Sequence, residues 1–279
     1  MASKSVWWWA LAVCLTVSAC TTAPYTGRRQ IMLTSASEEN SLGYNSFSEI
    51  RKKYPVSRDA RLNALVHRVG ERVAAAADRP DYRWEFVLFE DKSANAFCLP
   101  GGKVGIFTGI LKYTRDEGGL ATVVSHEVAH ALLRHAGERL SQSMLAQVGA
   151  VGLSAGMSGA NPYMAQAVQQ AYGLGTTVGV LLPYSRTQEY EADRVGLILM
   201  AKAGYDPEAA VGFWQRMMAG GKGKGGPEFL STHPTDGKRI AEIQKFVPGI
   251  KDQYYTPRTS SRPEPGRAAI NQGVWRRVK

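Results

Sequence analysis

His126-Glu127-Val128-Ala129-His130, set inside the apolar run from Leu120 to Leu132, decides how this chain folds and what it folds around. Leu120, Val123, Val124, Val128, Ala131 and Leu132 make the segment apolar on most sides, which predicts a buried helix. Residues four apart on a helix share a face, so both imidazoles can reach one ion, while Glu127 lies only about 100° round from His126. Two His and one Glu are not buried without partners. The spacing therefore points to a zinc hydrolase: two neutral imidazole ligands, a water, and a carboxylate to take that water's proton.

A third protein ligand is needed. In the three-histidine version of the motif the last His comes ten residues after the first, beyond a Gly that breaks the helix. Here His135 comes nine after His126, and Leu133 stands where the Gly would be. His135 is therefore expected as a partly exposed polar residue at the edge of the same helix, with a supporting place behind the metal ligands as the alternative. The other candidate is a carboxylate in the stretch Tyr184 to Gly196, which leads into apolar Leu197 to Ala201 and reads as a second helix. Glu189 and Asp193 share a face of it, whereas Glu191 points about 200° away from Glu189. Glu189 is assigned as the third ligand. Asp193 is assigned as the acceptor that holds a ligating His by its other ring nitrogen.

The H-E-x-x-H helix, the later Glu189-Tyr190-Glu191-Ala192-Asp193, and the stretch Asn95 to Gly109 together resemble the gluzincin peptidases of the HtpX and CAAX-prenyl-protease superfamily. Within it the chain is most similar to the soluble, lipid-anchored bacterial members and to the peptidase domain of the mitochondrial inner-membrane quality-control protease. The resemblance covers residues 25 to 250 and implies an α+β, mainly helical zincin-type metallopeptidase domain with a small sheet beside the H-E-x-x-H helix. It implies one Zn2+ per chain and the roles already given to Glu189 and Asp193. It also marks the element Ser231 to Arg239, in which His233 would face the active site, either stabilising the oxyanion or filling the open zinc position at rest. A His before Pro234 is held extended, away from a regular helix face. Gly118-Gly119 departs from the resemblance, and two glycines should loosen the first turn of the zinc helix by about 1 kcal/mol each relative to Ala.

Residues 1–19 read as a lipoprotein signal peptide: Lys4, a short apolar core, and small residues ending at Cys20. That ending resembles a bacterial lipobox, with Cys20 lipidated, and Thr21 after it implies delivery to the outer membrane. The expected location is the periplasmic face of a bacterial membrane, with residues 20–34 as lipid anchor and tether. Cys98 is then the remaining ordinary thiol, a buried strand residue outside any disulfide.

The catalytic domain is expected over 35–250. Ser35 with Glu38 fits a capping box opening a helix that Pro55 stops, and a second helix is expected from Asp59 to Ala77. Trp84 to Phe89 alternates as a strand, and Pro100-Gly101-Gly102 joins two more in a hairpin whose open edge could bind an extended polypeptide. Met144 to Leu182, nearly free of charge, is expected to form two helices over the catalytic helix with a mobile connection. Beyond Val247 the chain reads as disordered, giving a basic tail over 251–279. From Pro257 to Lys279 it holds five Arg and one Lys against one Glu, about half of the net charge of +10. Anionic envelope surfaces are the expected partner of that tail, and nucleic acid is not. The function expected is cleavage of misfolded or stalled envelope proteins, with Glu127 as the base. The rival is a zinc-bearing chaperone or assembly scaffold for outer-membrane proteins.

Overall fold

A computed structural model describes residues 20–158, 184–221 and 226–257. The chain opens with a hairpin of β1 (Cys20–Thr22) and β2 (Arg29–Ile31), followed by helices α1 (Ala36–Lys53) and α2 (Ala60–Ala77). Three strands come next: β3 (Glu85–Phe89), β4 (Ala96–Leu99) and β5 (Lys103–Phe107). The helices after them are α3 (Leu111–Thr114), α4 (Glu117–Leu132), α5 (His135–Ser158), α6 (Arg186–Lys202), α7 (Ala209–Gly220), α8 (Phe229–Thr232) and α9 (Gly237–Tyr254).

The capping box at Ser35 and Glu38 is present, Asp59 caps α2, and both helices keep their expected bounds to within a residue or two. In the sheet, ordered β3-β5-β4, β3 runs parallel to β5 and β4 antiparallel. Gly101 and Gly102 supply the hairpin with φ of +82° and +84°, a backbone region that side chains disfavour. β4 is an edge strand as expected, but Ala96, Phe97, Cys98 and Leu99 are all buried, so it presents no open edge among the described residues. Cys98 is the buried strand thiol the sequence predicts, and burial pushes its pKa well up.

Helix α4 is the centre of the molecule and packs against α2, α6, α7 and β4. Every residue from Gly119 to Leu132 is buried. Completely buried Leu120, Val123, Val124 and Val128 each contribute about 1.5–3 kcal/mol by leaving water. The glycines of its first turn have a steric reason. A Cβ on Gly119 would stand 2.1 Å from the Thr114 carbonyl oxygen, and one on Gly118 2.8 Å from the Ala209 Cβ. What reads as a weak turn is a close approach to α3 and α7. Gly196 plays the same part between the two zinc-motif helices, since a Cβ there would lie 3.2 Å from the His126 Cα and backbone nitrogen.

Three expectations need correction. Residues 20–34 are not a loose tether: Ala23, Gln30, Met32 and Thr34 are buried, and Leu33 donates its amide to Ser141 Oγ at 2.8 Å. The tail does not begin at 251, because α9 continues to Tyr254, with Ile250 buried and Lys251 paired to Asp206 at 2.7 Å. Nor does one helix carry both His126 and His135. The chain leaves the helix at Arg134, whose φ is +56°, and starts α5 at His135. Arg134 is held there by Glu39, at 2.7 and 3.0 Å, and by the Thr34 carbonyl at 2.9 Å. The signal peptide expected over 1–19, residues 159–183 of the uncharged segment with the second half of its proposed helix pair, and the basic stretch from 258 onward lie outside the described residues. No helix among the described residues is long and apolar enough to cross a membrane.

Candidate metal centre

Helices α4 and α6 cross where Gly196 meets His126, and this contact brings Glu189 opposite the two imidazoles. Ser185 caps α6 with Gln188 in a second capping box, which fixes the first turn that carries Glu189. His233 arrives from the end of α8, with φ −122° and ψ 74°, outside helical geometry as a residue before Pro should be. His126, His130, Glu189 and His233 are all buried, and one potential ligand atom from each lies within 4.8 Å of the others.

The spacing inside this group suits a tetrahedral ion. His126 Nε2 lies 3.1 Å from His130 Nε2 and 3.2 Å from His233 Nδ1. Glu189 Oε1 lies 3.3 Å from His130 Nε2 and 3.0 Å from His233 Nδ1. Zinc bonded at about 2.0–2.1 Å needs donor-to-donor edges of about 3.3 Å. Nitrogen and carboxylate donors are also what zinc takes. His126 Nδ1 faces Asp193 Oδ1 at 3.1 Å, so that nitrogen carries a proton and Nε2 is the nitrogen left to meet an ion. The residues present therefore fit zinc.

Glu127 stands beside the group, buried, with Oε1 3.2 Å from His233 Nε2. Burial pushes its carboxyl above the ordinary value, against the pull of His233, His126 and the Cys98 backbone amide. Burial would also raise Glu189, but Arg239 and His233, with the two helix imidazoles, hold it well below the carboxylate range. The ligand-spaced imidazoles diverge. Burial lowers both, yet Asp193 and Glu189 raise His126 to about 9, whereas His130, raised by Glu189 but lowered further by neighbouring His126 and His135, stays well below its ordinary value.

All six residues singled out at the site from sequence, His126, Glu127, His130, Glu189, Asp193 and His233, are brought together here. Cys20 is far away in sequence and starts β1. Two residues were underestimated. Arg239 grips Asp193 through Nε at 2.5 Å and NH2 at 2.8 Å, contacts Glu189 Oε2 through NH1, and lies 3.8 Å from the Trp214 ring centroid. Its signal was its place in the His-Pro element. His135, expected at an exposed helix edge, is completely buried: its Nδ1 is 2.8 Å from His130 Nδ1 and its Nε2 3.2 Å from Glu191 Oε2. Aromatic rings close the site, with Tyr184 3.8 Å from His130 and Phe229 4.3 Å from His233 between centroids.

Two helices crossing at a glycine, a buried His-His-Glu-His donor set and a carboxylate beside it define a zinc metallopeptidase. The family model for peptidase family M48 matches residues 60–247, and the chain belongs to that family. Among curated relatives it is 36% identical to the mitochondrial metalloendopeptidase OMA1 of Schizosaccharomyces pombe over 81% of the chain and 66% of that protein. It is 32% identical to the mitochondrial metalloendopeptidase OMA1 of Bos taurus over 81% of the chain and 46% of that protein. It is 27% identical to the beta-barrel assembly-enhancing protease of Escherichia coli K12 over 80% of the chain and 46% of that protein. The matches thus span about half to two thirds of the length of these relatives.

Proposed function

We propose that this chain is an endopeptidase that hydrolyses peptide bonds of unfolded polypeptides, with His126, His130 and Glu189 as zinc ligands. The convergence of those three side chains, with Glu127 beside them, is the observation that carries the reading. Zinc bound there would polarise the scissile carbonyl and lower the pKa of its water toward about 7. Glu127 accepts the proton of the attacking water and passes it to the leaving amine, and its desolvated carboxyl is a better base for that exchange. Asp193 keeps His126 in the tautomer that turns Nε2 inward.

His233 fills the remaining donor position at rest. Its Nδ1 lies among the donor atoms while its Nε2 engages Glu127, so the base and the place of the water are both taken. Turnover then requires His233 to withdraw, after which it is positioned to stabilise the oxyanion.

The substrates we infer are misfolded or stalled envelope proteins, met at the periplasmic face of a membrane to which the chain is tethered by lipid on Cys20. The lipobox-like sequence and the similarity to a beta-barrel assembly-enhancing protease support this. The basic stretch from Pro257 to Lys279 would lie against anionic envelope surfaces.

The test is cleavage of an unfolded protein by the purified chain, with zinc content measured on the same sample. Glu127→Gln should lower the rate about 10² to 10⁴-fold and leave zinc in place. Cleavage that survives this substitution or full chelation would overturn the peptidase assignment. Loss of cleavage with retained binding of unfolded chains would separate catalysis from any chaperone activity.

A further inference from the structure

We propose that His135 is the positioning residue for His130, and that its hold runs outward through Glu191 to Arg28 of the N-terminal hairpin. The proposal rests on zinc binding by His130 and adds what supports that ligand. His130 turns Nε2 toward the donor set, so Nδ1 carries its proton. The acceptor 2.8 Å away is His135 Nδ1, which leaves the His135 proton on Nε2, aimed at Glu191 Oε2 at 3.2 Å. Every link then has one donor and one acceptor.

Glu191 is itself held from the N-terminal segment. Thr26 Oγ1 donates to its Oε1 at 2.5 Å, and Arg28 Nε donates to its Oε2 at 2.7 Å. The far end of the same guanidinium donates twice to Glu138, at 2.7 Å each, and Glu138 also accepts from Gln188 at 2.8 Å. Residues 26–28, β2 and α5 therefore close on the back of the metal centre. His135 is able to join this chain because the left-handed turn at Arg134 ends α4 before it. A continued α4 would have carried that side chain round to another face. The second Glu of the Glu-x-Glu-Ala-Asp stretch, which points away from the metal, gains a role: it supports the second imidazole as Asp193 supports the first.

The experiment measures zinc affinity of the full chain by competition with a chromophoric chelator, the unfolding midpoint of the zinc-free protein, and the His130 tautomer by nitrogen NMR of labelled histidine. His135→Leu should weaken zinc about 10 to 100-fold, the usual effect of removing an outer partner of a metal-binding His, and release His130 from its Nδ1–H tautomer. His135→Asn, whose carbonyl oxygen can accept the His130 proton, should recover part of both. Glu191→Gln and Arg28→Gln should weaken zinc in the same direction by successively smaller factors. If His135→Leu binds zinc within about twofold of the parent, or His135→Asn is as weak as His135→Leu, the positioning role is wrong. Should His135→Leu fail to fold, unchanged affinity in both Glu191→Gln and Arg28→Gln overturns it. A parent chain that binds no zinc would overturn the metal assignment and this proposal together, whereas normal parent binding with unaffected variants overturns the positioning role alone.

Discussion

The two imidazoles of the H-E-x-x-H helix are supported on opposite sides by limbs of the same plan and different depth. Behind His126 stands Asp193, gripped by Arg239, with all three buried. Behind His130 stands His135, then Glu191, then Arg28, and the limb ends on a guanidinium side chain that is 26% exposed. One limb is a short ion pair sealed in the core between α6 and α9. The other is longer by one imidazole and surfaces at a hairpin contributed by the start of the chain. A buried charge that loses its partner is costly, while a partly solvated one is screened, so the same chemical plan carries stability on one side and adjustable support on the other.

The largest expected effect tests that difference directly. Arg239→Gln leaves Asp193 and Glu189 buried without their cation and should cost about 3–5 kcal/mol in urea unfolding of the zinc-free protein. Arg28→Gln, whose guanidinium is partly solvated although its partners Glu138 and Glu191 are buried, should cost less than that in the same assay. Equal losses would erase the distinction between core and rim. The second test compares carboxylates two residues apart. Glu189→Gln removes a ligand and should strip zinc from the purified protein, whereas Glu191→Gln, one step behind His135, should weaken it by less than the about 10 to 100-fold expected of His135→Leu. The reverse ranking, read by metal analysis after dialysis, would sink the ligand assignment.

Gly119→Ala acts on the helix that carries both imidazoles. Helix propensity alone argues for a gain of about 1 kcal/mol, but the Thr114 carbonyl in the way predicts a net loss of about 1–3 kcal/mol by overpacking. A raised melting temperature would show that the turn gives way. The smallest effect on metal is expected from His233, which touches both limbs through the donor set without being required by either. His233→Ala should leave zinc near the parent level and alter turnover. Zinc loss as severe as in a His126 variant would make it a full structural ligand.

Much of the centre was legible because its signals are local. His126, Glu127 and His130 are fixed relative to one another by one helix, and Glu189 and Asp193 by another, so spacing alone assigns their faces. The cap at Ser35 is equally short-range and was readable from residues three apart, while the like cap at Ser185 came only from the structure. His135 was misplaced because its position was counted along a helix that in fact stops. The stop at Arg134 is held by Glu39, 95 residues away in sequence. Arg28 gave no sign either, since its partners Glu138 and Glu191 lie 110 and 163 residues further on. The glycine pair was read by propensity, a property of an isolated helix, when its use is to let α3 and α7 come close.

The sequence by itself determined the ligand helices, the class of metal they suit and the candidate base, because helical periodicity turns spacing into geometry without further information. Which imidazole rests on a carboxylate directly and which through a second imidazole was decided only in the tertiary structure. So was the placing of His233 beside His126, Glu189 and Glu127. Those outcomes depend on where the chain turns and on charges drawn from its two ends, and long-range ion pairs leave no periodic trace in the residues between them.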